Sequence, residues 1–291
     1  MAGQSMTSSQ IVDGVQEITL DSWKDFFSLT VDKFSRTSNC IYRGQANYDW
    51  LLRSSLDRLR LQFPHRKNIA GSVPEEFNSP PLSEEHHLSA FRYYLVGRRG
   101  PNPPTLTEDE VWALGQHHGL ATPLLDWTFK PWVALFFAFD QDAIIIDGKH
   151  AQPEFRGVYM ANSSLFAPDR DGMLPEARIV SSEADSNSRL VSQAALFLKL
   201  PKGTDLESYV HRVCASENGP RPALTKFKIP NRERHGCLVA LKAMNISYAT
   251  LFPDIDGAAR HVNSLWQPGH EELIPYIPSV YQYRREEPGK D

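Results

Sequence analysis

Apolar positions along the chain fall into short runs of two periods, one fitting strands and one fitting helices. Residues 11–20 alternate enough for a short strand. Asp21 then opens a helix in which Trp23, Phe26, Phe27, Thr30, Val31 and Phe34 share one face. The run Cys40-Ile41-Tyr42-Arg43-Gly44-Gln45 predicts a second short strand, ending in Arg-Gly. Residues 50–56 connect it to a helix, and the proline-containing, polar residues 62–82 read as loop. Ser83 caps a helix carrying Leu88, Phe91 and Leu95. Thr107-Glu108-Asp109-Glu110 is a capping box for the next helix, with Val111, Leu114 and His118 on one face and Gly119 as its stop.

The centre of the chain is the stretch from Gln116 to Asp140. A short extended piece, Leu124 to Thr128, leads into a helix with Pro131 in its first turn and apolar residues on every side. A helix without a polar face is buried. Two imidazoles, a carboxylate, an indole and a hydroxyl (His117, His118, Asp126, Trp127, Thr128) precede it directly. Titratable groups crowded against the most buried segment look like the wall of a site.

Beyond the centre, residues 143–146 and 157–160 read as strands with a loop at 148–156 between them, and residues 162–188 as polar and irregular with turn chemistry at Asp169-Arg170-Asp171-Gly172. Residues 190–200 begin as loop and become a strand. Asp205 starts a helix with Leu206, Tyr209, Val210 and Val213 inward, and residues 224–229 form a strand. Residues 231–244 are helical, with Leu238 and Leu241 inside. Asp254 caps a last helix bearing Ile255, Ala258, Ala259, Val262 and Trp266. Helices and strands mix without a βαβ rhythm, which predicts an α+β fold, a single domain whose mixed or antiparallel sheet is flanked by helices. Residues 1–20 are tail and lead-in, 21–280 the domain, and 281–291 a charged tail with the solvated run Arg284-Arg285-Glu286-Glu287.

Composition changes this picture little. The 291 residues are 41% hydrophobic and 23% charged, enough for a sizeable core. A net charge of −4 gives no global pull toward nucleic acid. Cys40, Cys214 and Cys237 lie far apart with no CxxC pair, so reduced thiols and a cytoplasmic setting are expected. No apolar stretch is long enough to span a bilayer, and no membrane partner is expected.

The chemistry candidates narrow by exclusion. No GxGxxG follows a strand, and neither GxxxxGK[ST] nor GxSxG occurs. His117 and His118 are neighbours on a helix and point about 100° apart, so no metal is assigned to them. His86-His87 reads as surface. Arg43 closes an apolar strand, where it either pairs with an acid or projects into a site. In a site its planar fork holds a phosphate, Gly44 lets backbone approach closely, Trp127 offers an aromatic face, His117 or His118 titrates near neutrality, and Gln193 reaches a ribose hydroxyl. The alternative is that Trp127 is core, Asp126 caps the Pro131 helix and the histidines close the preceding one.

Tyr42-Arg43-Gly44-Gln45, Gln116 to Thr128, Ala134-Leu135-Phe136-Phe137-Ala138, Arg189 to Gln193 with Phe197, and Leu251-Phe252-Pro253-Asp254 together resemble the successive motifs of the FRG domain family. Ala195 stands where that pattern has glycine. Members of the family are mostly bacterial and phage-borne and are linked to toxin or phage-defence settings. At a second level the order of elements is similar to that of ADP-ribosyltransferases: a strand ending in Arg-Gly, then Ser-x-Ser, then an Ala-x-x-Phe helix, then a strand carrying a catalytic glutamate. Leu125 to Thr128 stands at the Ser-x-Ser position and Gln193 at the glutamate position, two departures from the pattern. The resemblance implies an ADP-ribosyltransferase-like fold, NAD as substrate, and a protein or nucleic-acid acceptor. Asp126, Gln193 and His118 are the expected catalytic residues; Arg43, Gly44, His117, Trp127 and Thr128 are expected to bind the cofactor. Either Asp126 supplies the charge that Gln193 lacks, or the site binds a nucleotide or nucleic acid without turnover.

Overall fold

The computed structural model describes residues 7–31, 39–63, 83–146, 148–168, 175–180, 188–215 and 222–270. Phe34, most of the 62–82 loop, the turn at 169–172 and the two charged or polar tails lie outside the described residues, apart from residues 7–10. The first strands are β1 (Thr7–Ser8) and β2 (Val15–Thr19), followed by helix α1 (Trp23–Leu29) and strand β3 (Cys40–Gln45). Helices α2 (Ser55–Gln62), α3 (Glu84–Leu95) and α4 (Glu108–His117) precede strand β4 (Leu124–Thr128) and helix α5 (Pro131–Phe139). Strands β5 (Ile144–Ile146), β6 (Lys149–Ala151), β7 (Phe155–Asn162) and β8 (Arg178–Val180) lead to helix α6 (Ser188–Gln193) and strand β9 (Ala195–Lys199). Helix α7 (Leu206–Cys214), strand β10 (Leu224–Pro230) and helices α8 (Arg234–Ala243), α9 (Tyr248–Leu251) and α10 (Ile255–Ser264) complete the order.

Local chemistry sets most of these bounds. Ser83 and Thr107 cap α3 and α4, and Glu110 reaches back to the Thr107 N–H at 2.7 Å. Ser22, rather than Asp21, caps α1, because Asp25 returns its carboxylate to the Ser22 N–H at 2.9 Å. Trp23, Phe26 and Thr30 are buried as expected, whereas Phe27 stacks on Trp132 at the surface and Val31 is exposed. Gly119 ends α4 with φ +86°, a left-handed conformation open to glycine.

Eight strands form one mixed sheet, ordered β1-β2-β10-β7-β3-β4-β9-β8, while β5 and β6 form a separate hairpin. Among the described strands of this sheet β2 and β10 run parallel and the other neighbours antiparallel. The 148–156 segment is therefore not all loop, since Lys149–Ala151 pairs with Ile144–Ile146. Likewise the segment before β9 is helical, with Ala194 at φ +45° making the turn. The sheet is deeply paired on both sides of its centre, yet β3 and β4 share only the Tyr42–Thr128 pair.

The apolar α5 lies on this sheet with Val133, Ala134, Leu135, Phe136, Ala138 and Phe139 buried. It packs at Gly44, where an added Cβ would fall 1.9 Å from the Ala134 carbonyl oxygen and 2.6 Å from the Ala138 nitrogen. Gly44 thus brings the helix down onto β3. The last helix turns its apolar stripe to solvent. Ile255, Val262 and Trp266 are 88%, 58% and 90% exposed, and Gly257 and Ser264 face inward instead. Gly257 presses on the Phe252 carbonyl, and Asp254 pairs with Arg189, so tertiary ties turn the helix against its apolar stripe. Val213 of α7 is likewise partly exposed, with Cys214 buried beyond it. None of the helices formed by the described residues is long and apolar enough to cross a membrane.

Candidate functional site

A cavity of about 900 Å³ opens where β3 and β4 part, and it is lined by β3, β4, α4, α5, α6, α9 and the segment after β3. It brings together Arg43, Gly44, His117, Asp126, Trp127, Thr128 and Gln193, residues up to 150 positions apart in the chain. His118 is not among its lining residues. It is the exposed C-terminal cap of α4 and stands edge-on to His117, so the geometry gives it no place in this site.

Arg43 bridges the gap in the sheet. Its Nη1 donates to the Asp126 carbonyl oxygen at 2.6 Å, filling an acceptor that the short β3–β4 ladder leaves open. The same nitrogen lies 3.9 Å from Asp126 Oδ2. Nε is buried with no hydrogen-bond partner among the described residues. Burial lowers the Arg43 pKa from its usual value, and Asp126 opposes that effect; the guanidinium stays charged.

Asp126 lies between two buried neighbours, Leu125 and Trp127, yet its own side chain is 63% exposed. Gln116 Nε2 donates to Oδ1 at 2.6 Å and Gln116 Oε1 accepts from the Thr122 hydroxyl, so the carboxylate is held in a fixed orientation. The first residue of the Gln-His-His-Gly run thus positions Asp126, a role the sequence reading had not assigned.

Three other expected residues are committed to the fold. Trp127 is 1% exposed and packs with Ile41, Leu125, Tyr159 and Leu196. The Thr128 hydroxyl donates to the Gln193 carbonyl at 2.6 Å and accepts from the Lys130 N–H at 3.0 Å. Gln193 Nε2 donates to the Leu251 carbonyl at 3.1 Å. Arg43, Asp126 and His117 keep polar capacity toward the cavity, and the buried Trp127 Nε1 has no hydrogen-bond partner among the described residues.

His117 is half-buried, and burial followed by the nearby Arg189 charge lowers its pKa, so the imidazole is neutral at neutral pH. Arg189 pairs with Asp254 and, at 3.3 Å, with Asp256, and it lies 5.2 Å over the Phe252 ring. The two C-terminal motif stretches therefore meet beside His117. Arg189 in turn pulls the Asp254 carboxyl down to about 2.

At the C-terminal end of α5 the cavity reaches Asp140, with Phe137, Gln141, Tyr248, Phe252 and Arg260 also in its lining. Two arginines cover the carbonyls at the end of this helix. Arg234 donates to the Phe139 and Asp140 oxygens, both at 2.7 Å, and Arg156 to the Ala138 oxygen at 3.2 Å. Guanidinium groups there complement the negative end of the helix dipole. Burial lowers Arg156 to about 10. Asp140 itself is 7% exposed, and burial lifts its carboxyl to about 6 despite a hydrogen bond from the Tyr248 hydroxyl and the charges of Arg234, Arg260 and Arg156. The sequence signal for Asp140 was a carboxylate closing a wholly apolar helix.

Five arginines (Arg43, Arg53, Arg58, Arg189, Arg260) line the cavity against three aspartates (Asp49, Asp126, Asp140). Among the described residues no three His, Cys, Asp or Glu side chains are grouped to hold a metal ion. Neither a curated protein nor a solved structure matches the chain. Residues 38–144 match the family model of the FRG domain; they carry Arg43, Gln116, His117, Asp126 and Asp140, and the match supports the FRG family for this chain.

Proposed function

We propose that the cavity binds NAD and that the protein is an ADP-ribosyltransferase-like enzyme, acting as a toxin or phage-defence effector as the FRG resemblance implies. The observation that carries this reading is the pairing of Arg43 and Asp126, 3.9 Å apart on the wall of a cavity rich in arginine. The reaction needs both charges. Cleavage of the ribosyl–nicotinamide bond sends the bonding electrons to nicotinamide and leaves positive charge on the ribose ring. A carboxylate held by Gln116 stabilises that charge as it forms, while guanidinium groups hold the diphosphate. The acceptor's nucleophilic atom then bonds to the ribose carbon and gives up its proton, and neutral His117 is a base within the same cavity.

A second reading, nucleotide binding without turnover, draws on Gln193. A neutral amide stands at the expected glutamate position, and it is occupied by the Leu251 carbonyl. Nicotinamide release from NAD by the purified protein separates the two. The transferase reading expects release by wild type. Asp126→Asn, which keeps shape and removes charge, lowers turnover ~10²-fold with binding nearly intact, because the lost charge acts in the transition state. Arg43→Ala mainly weakens NAD binding, and Arg58→Ala, at an exposed position, weakens it less. Binding of NAD with no release in any acceptor mixture establishes the binding-only reading; no binding at all sinks both.

A further inference from the structure

The carboxylate of Asp140 has one satisfied oxygen and one orphan. Oδ2 accepts from the Tyr248 hydroxyl, while Oδ1 is buried and has no hydrogen-bond partner among the described residues. His270 Nε2, 3.9 Å from Oδ1, is beyond hydrogen-bond distance. Buried polar atoms are nearly always paired, so an orphan carboxylate oxygen needs an explanation. Arg234 and Arg156 do not provide one, since their N–H groups are committed to other acceptors, and the nearby Arg260 lies over the Phe252 ring at 5.4 Å. Arg234 donates through Nε to the Phe139 oxygen, through Nη2 to the Asp140 backbone oxygen and through Nη1 to the Pro268 oxygen. Arg156 donates to Asn231 Oδ1 and to the Ala138 and Asp142 carbonyls. These groups lend positive charge to the neighbourhood and leave Oδ1 open to a neutral donor.

The surroundings of Asp140 restrict what that donor belongs to. Phe137 and Tyr248 are half-buried aromatic residues lining the same cavity, and Phe252 completes the group with its ring 6.0 Å from that of Phe137. Aromatic walls beside a single acceptor suit a flat ring bearing an N–H. Gly44, next to Arg43, packs on Ala134 and Ala138 of α5, so the Arg43–Asp126 pair and Asp140 share the wall that this helix gives the cavity.

Resting on the nucleotide reading above, we propose that the Asp140 end of the cavity is a base site, where Asp140 Oδ1 accepts a hydrogen bond from the exocyclic amino group of an aminopurine stacked among Phe137, Tyr248 and Phe252. It makes Asp140 a specificity-determining residue and orients the ligand, with its base at the end of α5 and its phosphates toward the arginines.

Calorimetric titration of the full-length protein with ADP and with purine riboside 5′-diphosphate, which lacks only the amino group, tests this. Wild type is expected to favour ADP by ~10-fold or more, the scale of one lost hydrogen bond to a charged, buried acceptor. Asp140→Leu, similar in shape and without an acceptor, should bind the two equally. The wild-type comparison stands alone should that variant fail to fold. Equal wild-type affinities overturn the base site, even where NAD is cleaved and the transferase reading survives. A preference that persists in Asp140→Leu overturns the role of Asp140. ADP preference without nicotinamide release upholds the base site and removes the reaction. Binding of neither nucleotide overturns both.

Discussion

Asp126 and Asp140 stand at two ends of one cavity in opposite circumstances. Asp126 projects from a strand, mostly in solvent, with Gln116 on one oxygen and Arg43 close by. Asp140 is buried at the negative end of a helix, with arginines that neutralise the region and an oxygen that accepts no hydrogen bond among the described residues. The Asp126 side chain is mostly in solvent and open to a ligand. Ionising Asp140 is resisted by burial, so its charge is useful where a fixed donor completes it. One carboxylate is placed to meet charge that develops, the other to recognise a group that stays.

Both ends depend on the contact between β3 and α5, and breaking it has the largest effect expected. Gly44→Ala puts a methyl group 1.9 Å from the Ala134 oxygen, against backbone that cannot rotate away. Overpacking a core typically destabilises by about 1–3 kcal/mol, and a clash with helix backbone exceeds that. The variant should recover little folded protein; urea denaturation showing a loss under about 1 kcal/mol would mean that α5 rides up freely. The next effect is specific to the buried end. Arg234→Met removes the donors to the Phe139, Asp140 and Pro268 carbonyls and should destabilise by about 3 kcal/mol, as removal of one partner from a buried charged network does. Arg58→Ala, at the exposed end, should leave the denaturation midpoint nearly unchanged.

The two ends also differed in how far they could be read from the chain. The Asp126 end was legible because its parts are local. A strand ending in Arg43-Gly44 and a carboxylate in an apolar stretch announce themselves within a few residues, as do the capping box at Thr107 and Pro131 at the head of α5. Asp140 was not, because its surroundings come from separate segments: Arg156 on β7, Arg234 on α8, Tyr248 on α9 and Arg260 on α10. Periodicity finds an apolar face and says nothing of which partner meets it. In α10 the stripe from Ile255 to Trp266 is real, and the Arg189–Asp254 pair together with Gly257 still turns it to solvent. Trp127 and Thr128 lie beside the cavity as expected, but their side chains serve the core and the Gln193 turn.

A smaller effect sharpens the electrostatic contrast. The Asp140 carboxyl titrates near 6 in the folded chain, above its ordinary value of 3.8. Between those two pH values the folded state holds a proton that the unfolded chain has released, so this group stabilises less as pH rises and its full penalty is present above about pH 6. Asp140→Asn removes the penalty but weakens the bond from Tyr248. Its stability relative to wild type should therefore be greatest at pH 8, by ~1–2 kcal/mol, and should decline as pH falls through 6 toward 4. Thermal denaturation across that range gives the curve, and a flat difference would show that Asp140 is not the group being desolvated. Asp254 behaves oppositely: held near 2 by Arg189, it contributes stability that is present above about pH 4 and lost as pH falls through 2.

The smallest effect expected concerns the residue that ties the two ends together. The Gln193 backbone carbonyl accepts from Thr128 next to the Asp126 strand, and its side-chain amide donates to Leu251 at the end of α9, the short helix that carries Tyr248. Gln193→Glu keeps the length of the side chain and exchanges the donor for an acceptor that faces a carbonyl oxygen. Losing one half-buried hydrogen bond should cost about 1 kcal/mol, a fall in Tm of about 2–4 °C for a protein of this size. Gln193→Leu should cost a similar amount. The informative readout is the difference between the two variants in nicotinamide release. Should Gln193 occupy the position of a catalytic carboxylate, the Glu variant, despite its lower Tm, retains or exceeds the wild-type rate while the Leu variant does not. Equal rates in both variants would make Gln193 a strut between the walls and leave Asp126 as the carboxylate on which turnover depends.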